Sequence, residues 1–295
     1  MNAQKVQSLV EALPYILRFH GKKVLVKFGG SAMLSESGTD NFAQDVVVLQ
    51  KTGMLPVVVH GGGPEINRAM ERMGKKPEKV NGLRVTDSET LEIAEMVLVG
   101  KINSGLVSRI QRHGGKAVGI SGKADGTLFS TRLSPVTARG SDGNTTQVDL
   151  GHVGEVAKVN PTLVDLLCQN GFIPVIAPIG VDAGGNSLNL NADTAAARLA
   201  SALGAEKLVL MTDVPGVLRE PENPASVVSR LSVGEMDRMT ADGTISGGMI
   251  PKVQAARDAL ASGVGSVHIL DGKVGHSLLL EVFTDEGIGT MIVGG

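Results

Sequence analysis

Short runs that are apolar at nearly every position recur along this chain, and they constrain its fold more than any other feature. They are Val24–Phe28, Leu55–Val59, Lys116–Ile120, Ile173–Ala177, Lys207–Met211, Val267–Leu270 and Thr290–Val293. A strand with one wet face alternates polar and apolar residues, whereas a strand without that alternation must be covered on both faces. Between the runs lie stretches of helical periodicity: Asn41–Gln50, Pro64–Met73, Ser88–Leu98, Asn103–Arg112, Pro161–Gln169, Asp193–Leu203 and Lys252–Ala261. This alternation predicts an α/β chain with a mainly parallel sheet and helices on both sides. With 295 residues, the chain has room for one large domain or two lobes sharing a core. Aromatic residues make up only 2%, so that core must be built from Val, Ile, Leu, Ala and Met.

One segment breaks the rhythm. From Asp125 to Val159 the chain reads as short strands joined by the polar stretch Ser134–Gln147, as expected of hairpins laid over an edge or a site. A mobile loop is expected around Arg139–Gly143. At the N-terminus, Val6, Leu9, Val10, Leu13, Ile16 and Leu17 recur at helical spacing, with a kink or restart expected at Pro14. Such a stripe suits a partner surface, most simply another subunit; docking on its own domain is the alternative.

Composition excludes several classes. Lys plus Arg is 28 and Asp plus Glu is 30, so the formal charge of −2 gives no global reason to bind nucleic acid or an anionic membrane. No apolar run approaches the ~20 residues that span a bilayer, and the N-terminus does not read as a secretory signal. Cys168 is the single cysteine, which excludes an intrachain disulfide and fits a reducing, cytoplasmic compartment. It lies among Leu163, Leu166 and Leu167 and reads as a buried structural thiol. Every Gly-Lys pair is followed by something other than Ser or Thr, so there is no P-loop. No GxGxxG fingerprint follows a strand, no GxSxG accompanies His60–Gly63, HExxH is absent and the histidines do not cluster; no metal site is expected.

What remains is a set of glycine-rich turns at strand ends. In Val24–Ser31, Lys27 stands at the tip of a buried strand, where an ammonium needs an anionic partner, and Gly29 and Gly30 let backbone N–H groups approach the same partner. A surface lysine beside a tight turn is the plain alternative. In Val57–Glu65, three glycines lead to Pro64 at a helix start, where free N–H groups form an anion site; an ordinary βα turn would read the same way. In Gly82–Asp87, Thr86 or Asp87 caps a helix, and Arg84 is either solvated or paired with a substrate carboxylate. In Asn186–Thr194, Asn189, Asn191 and Asp193 alternate and so face one way in an extended segment; Asp193 is an N-cap, a ligand organiser, or both. In Ser246–Lys252, Lys252 falls in the first turn of a helix, where a cation opposes the dipole unless a phosphate lies nearby.

The motifs VKFGGSAM, VVVHGGGPEIN, NGLRVTD, LNLNADTAA, LMTDVPGVL and SGGMIPKV, taken in order, resemble the amino-acid kinase superfamily, and within it the acetylglutamate kinases of the arginine-sensitive type. The resemblance covers about Gly21 to Val293. It implies a three-layer αβα sandwich plus an N-terminal helix. Residues 1–20 would serve oligomerisation, 21–195 acetylglutamate binding and dimerisation, and 196–295 ATP binding and an arginine site. It also implies that Lys27 and Lys252 stabilise the transferring phosphoryl group and that Asp193 holds both lysines. Gly29 and Gly30 would meet the γ-phosphate. Gly62 and Gly63 would bind substrate through their backbones, with Arg84 and Asn189 gripping the acyl-amino-acid. Asp213, Val214, Gly216, Val217 and Leu218 would line the nucleotide pocket, with Mg2+ arriving on ATP.

The implied reaction moves the γ-phosphoryl group of ATP to the side-chain carboxylate of N-acetyl-L-glutamate, the second step of arginine biosynthesis. Similar chains with an extra N-terminal helix form hexamers as trimers of dimers and are inhibited by arginine. His268, in HILDGK, and Glu281, in LLEVFTDEGIGT, match their arginine site, though Lys273 replaces the usual arginine of DGR. Some relatives bind a PII-type signalling protein, and no motif here decides that point. The competing readings are a carbamate, aspartate, glutamate or uridylate kinase, a non-catalytic arginine-sensing subunit, and a Rossmann dehydrogenase.

Overall fold

The computed structural model describes residues 2–139, 145–284 and 287–294. Its centre is an eight-stranded sheet. In chain order the strands are β1 (Lys23–Phe28), β2 (Leu55–His60), β3 (Ala117–Ser121), β4 (Ile173–Ala177), β5 (Lys207–Thr212), β6 (Arg230–Ser232), β7 (Ser266–Asp271) and β8 (Thr290–Val293). Across the sheet they run β6-β8-β7-β5-β1-β2-β4-β3. Neighbours are parallel except β7 and β8, which are antiparallel.

Period-two alternation decides which face each side chain joins. Leu25, Leu208 and Leu210 pack on one face with the helices Ala192–Ala202 and Ile250–Ala261. Val24, Val26, Phe28, Val209 and Met211 pack on the other with Glu36–Lys51, Ser104–Arg112 and Ser277–Phe283. The result is the expected αβα sandwich, apolar on both sides of its sheet. Cys168 is buried in the first of these cores, and burial pushes its thiol up to about 11, as expected for an inert structural group.

The irregular segment supplies Leu128–Arg132 and Val153–Val159 to a small ring of strands completed by Ile179–Val181 and Ser187–Leu190. The polar stretch is ordered as an antiparallel hairpin, Val136–Arg139 against Thr145–Val148, in line with the hairpins expected in this segment; of the expected mobile loop, Arg139 belongs to the hairpin. The remainder of the expected mobile loop, 140–143, lies outside the described residues.

Of the kink or restart expected at Pro14, the restart does not occur: the N-terminal helix runs Asn2–Phe19 without a break. A single missing N–H removes one rung, and the turns on either side continue. Its C-terminal end is docked: Phe19 is buried in the core beside the helix Ser277–Phe283, while Val10, Leu13 and Leu17 stay exposed. Two expected helices, Ser88–Leu98 and Asn103–Arg112, are joined by a π-helical turn at Met96–Asn103. Among the described residues no helix is long and apolar enough to cross a membrane.

Candidate active site

Parallel strands present their C-terminal ends together, and the turns that follow β1 and β2 lie side by side. Gly61 N–H donates to Phe28 O at 2.7 Å, which ties the two turns. Gly29 is extended (φ −162°) and Gly30 is left-handed (φ +74°). A Cβ on Gly29 would sit 2.5 Å from Lys27 Nζ, so the ammonium lies directly against this turn. Gly62 precedes the helix Gly63–Arg72, with Pro64 in its first turn. The opening N–H groups of that helix have no intrahelical acceptor.

Lys27 and Lys252 converge on one carboxylate. Lys27 Nζ is 2.9 Å from Asp193 Oδ1, and Lys252 Nζ donates to Oδ2 at 2.7 Å. The first contact is an ion pair off the hydrogen-bonding direction, since Oδ1 has no hydrogen-bond partner; the second is a true hydrogen bond. Asp193 is not the helix cap. Asn191 takes that role, accepting from the N–H groups of Asp193 at 2.9 Å and Thr194 at 3.1 Å. The carboxylate one turn in is thereby left for the lysines. Burial alone would push the Asp193 carboxyl up, but the two ammonium groups outweigh it and hold the group at about 2.

That shift has a pH signature. A carboxyl held below its unfolded value of about 3.9 adds stability that is fully present above that value and lost as pH falls through about 2. The stability gap between the wild-type chain and Asp193→Asn should therefore be constant from pH 7 to pH 5 and shrink between about pH 4 and pH 2. Urea midpoints measured across this range test it.

Arg84 is buried, and its guanidinium meets neutral groups: Met70 Sδ at 3.2 Å, Gly63 O at 3.0 Å and Asn67 Oδ1 at 2.5 Å. Burial lowers its pKa. Among the described residues no acid pairs with it, so a carboxylate ligand would complete its charge balance. Asn189 donates to Thr86 Oγ1 at 3.2 Å, and Asp87 caps the next helix through Thr90 N–H at 2.8 Å. Lys27, Gly29, Gly30, Gly62, Gly63, Arg84, Asn189 and Asp193 line one cavity of about 280 Å³. Lys252 reaches it through Asp193.

A second cavity, of about 120 Å³, is lined by Val214, Gly216, Val217 and Leu218. Asp213 lies against the first turn instead, where a Cβ on Gly30 would strike its carboxylate. Pro221, Thr244, Ile245, Ser246 and Met249 complete the second cavity. Only Ser246 and Met249 fell within a motif already noted.

His268 and Glu281 also meet. The ring Nδ1 is 2.6 Å from Glu281 Oε1, and Nε2 is 3.1 Å from Lys207 Nζ. Burial lowers the His268 pKa. Burial would raise Glu281, but hydrogen bonds from His268 and from the N–H groups of Ile288 and Gly289 bring it below its usual range. The pair lines a cavity of about 500 Å³ with Lys207, Tyr15, Arg18 and Phe19. Lys273 is not part of it. Its Nζ donates to Asp213 O at 3.2 Å, beyond the other end of β7.

A profile of the Amino acid kinase family matches residues 22–271. The acetylglutamate kinase of Methanothermobacter thermautotrophicus is 53% identical over 288 residues, 97% of this chain and 98% of that protein. That of Methanocaldococcus jannaschii is 54% identical over 289 residues, 98% and 96% of the two chains. The chain belongs to the amino acid kinase family, among the acetylglutamate kinases. Its fold is also similar to a solved N-acetylglutamate synthase from Neisseria gonorrhoeae, with a TM-score of 0.84 at 27% identity over 98% of this chain; the match spans 63% of the synthase. A carbamate kinase from Giardia lamblia shares the fold alone, with a TM-score of 0.66 at 16% identity, covering 93% of this chain and 99% of that one.

Several lining residues carried no motif signal. Lys79 reaches the first cavity from the short hairpin Lys79–Val80 and Leu83–Arg84, and Leu98 from the π-helical turn. Tyr15 and Phe19 enter the third cavity because of where the N-terminal helix docks.

Proposed function

We infer that this chain is an acetylglutamate kinase, transferring the γ-phosphoryl group of ATP to the side-chain carboxylate of N-acetyl-L-glutamate to give the acyl phosphate and ADP. The observation that carries this reading is the convergence of Lys27 and Lys252 on Asp193 beside two glycine turns, with Arg84 buried nearby and, among the described residues, without an acidic partner.

The chemistry fits these residues. A side-chain carboxylate with a pKa near ~4.3 is ionised at neutral pH, so no general base is needed. The difficulty is bringing an anion to a polyanion, and two ammonium groups with backbone N–H donors supply the needed field. Asp193 holds the lysines without taking a proton, because its carboxyl stays ionised far below neutral pH. Arg84 and Asn189 orient the acceptor by its α-carboxylate and amide. The Val214–Leu218 cavity takes the nucleoside. A divalent ion such as Mg2+ would come bound to the nucleotide phosphates; among the described residues no cluster of three or more His, Cys, Asp or Glu groups could hold a metal. Residues 21–195 then serve the acceptor and 196–295 the nucleotide.

The Lys207–His268–Glu281 cavity suits a small zwitterionic or guanidinium ligand, and we assign L-arginine to it as a feedback inhibitor. The exposed Val10, Leu13 and Leu17 suit burial against a second subunit, in keeping with a homohexamer built as a trimer of dimers.

An ATP-dependent hydroxamate assay, which traps acyl phosphates, tests the reading. N-acetyl-L-glutamate, L-glutamate, L-aspartate and carbamate would each be offered with and without L-arginine. Product with N-acetyl-L-glutamate alone, suppressed by arginine, is expected; no acyl phosphate from any acceptor would overturn it. Arg84→Ala should raise KM for the acetylated amino acid about 10- to 100-fold, the worth of a charge-assisted hydrogen bond of ~1.5–3 kcal/mol, with kcat little changed.

A further inference from the structure

We propose that His60 and Asn103 form a positioning pair that fixes the Gly61–Gly62 peptide and so aims the Gly62 N–H into the active-site cavity. The proposal rests on the phosphotransferase reading and deepens it.

His60 ends β2 and is fully buried. Its Nδ1 is 2.9 Å from Gly61 O. A carbonyl only accepts, so Nδ1 carries the proton and donates. Its Nε2 is 3.1 Å from Asn103 Nδ2, an amide group that only donates, so Nε2 is bare. The ring is therefore neutral, in a single tautomer. The other amide proton of Asn103 goes to Val175 O at 2.9 Å. Asn103 Oδ1 lies against Gly119 of β3, where any Cβ would overlap it. Burial pushes the His60 pKa down to about 4, so the neutral ring persists across the physiological range.

The consequence follows from peptide geometry. Gly61 N–H is held by Phe28 O, and Gly61 C=O is held by His60, so the first glycine of the turn is pinned on both sides. In a trans peptide the C=O and the next N–H point in opposite directions. With Gly61 C=O turned toward the buried ring, the Gly62 N–H is sent the other way, and Gly62 lines the active-site cavity. The wall behind this turn comes from the same element as Asn103. A Cβ on Gly62 would meet Leu98 and Ile102, and Leu98, Ile102 and Asn103 all lie in the π-helical turn Met96–Asn103. The i→i+5 bonding of such a turn brings Leu98 and Asn103, five residues apart, to one face. One irregular turn therefore supports both His60 and Gly62.

The test uses the full-length protein and the acyl phosphate assay. Asn103→Leu keeps the size and removes both donors; Gly119→Ala displaces Asn103 from the strand side. Each should lower kcat about 10- to 100-fold, the range for an ångström-scale misplacement, with KM for ATP within about twofold of wild type. Asn103→Asp should behave differently: its carboxylate accepts from a protonated ring whose Nδ1–H still holds Gly61 O, so kcat should recover as pH falls. Nitrogen-15 spectra of labelled histidine should show a protonated Nδ1 and a bare Nε2 on His60 in the wild-type chain. Folded variants with wild-type kcat, or kcat and ATP KM worsening together in step with the melting temperature, would overturn the pairing. If Asn103→Leu does not fold, Gly119→Ala and the wild-type tautomer still decide, and a bare Nδ1 sinks the idea. A wild-type chain that makes no acyl phosphate would overturn the phosphotransferase reading instead, with the tautomer measurement still testing the geometry.

Discussion

Asp193→Asn should lose activity and stability together. The substitution keeps the shape of the side chain and removes the one negative charge between two ammonium groups, at 2.9 Å from Lys27 and 2.7 Å from Lys252. Breaking a buried ion pair by deleting one partner costs roughly 3–5 kcal/mol. The low end, about 3 kcal/mol, is expected here because the cavity admits water and counter-ions that screen the repulsion. The lysines then separate, and donors aimed at developing charge lose their alignment. Removing one such donor costs about 10²- to 10³-fold in kcat, and Asp193→Asn disturbs two, so a fall of at least ~10²-fold is expected. Steady-state kinetics and thermal melting on the same preparation check it. A variant that melts early yet keeps kcat would make Asp193 a structural group alone.

Lys252→Ala should divide the kinetic constants. The side chain stands in the first turn of the helix Ile250–Ala261, where a cation is unfavourable unless an anion sits before it. Its attraction to the transferring group grows as charge shifts onto the leaving and equatorial oxygens. Removal should therefore lower kcat by about 10²- to 10³-fold and move KM for ATP by only a few-fold. Stability should change little, because Asp193 keeps Lys27. A KM effect with kcat intact would assign Lys252 to holding the ground-state nucleotide.

Most of the sheet could be read from the sequence, because both faces of its strands are buried and their apolar runs are unmistakable. The three-residue strand Arg230–Ser232 was too short to stand out. The helix after it could have been found: Ser232 and Glu235 form a capping box, visible as Ser-x-x-Glu. The π-helical turn at Met96–Asn103 left no such mark, since one extra residue in a turn is a product of packing. The stretches on either side, Ser88–Leu98 and Asn103–Arg112, read as two separate helices. Within the site, the glycine turns and their lysines were legible because each answers a local requirement of backbone or charge. Lys79 and Thr244 were not, because they reach the cavities from segments brought close only by the fold. The same holds for the division of labour between Asn191 and Asp193, which alternate identically in sequence but differ by which one meets the first helical N–H groups.

The order of the sheet also bears on how the chain is made. β1 sits at its centre, paired on one side with β2 and on the other with β5. β2 leaves the ribosome soon after β1, but Lys207–Thr212 does not appear until two-thirds of the chain exists. At ~5–20 residues per second that is an interval of roughly 10 to 35 s. Throughout it, a strand made of Val24, Leu25, Val26 and Phe28 presents one unpaired edge, the kind of surface that recruits other chains. The nascent first half should therefore be prone to aggregation, and refolding from denaturant should give yields that fall as protein concentration rises.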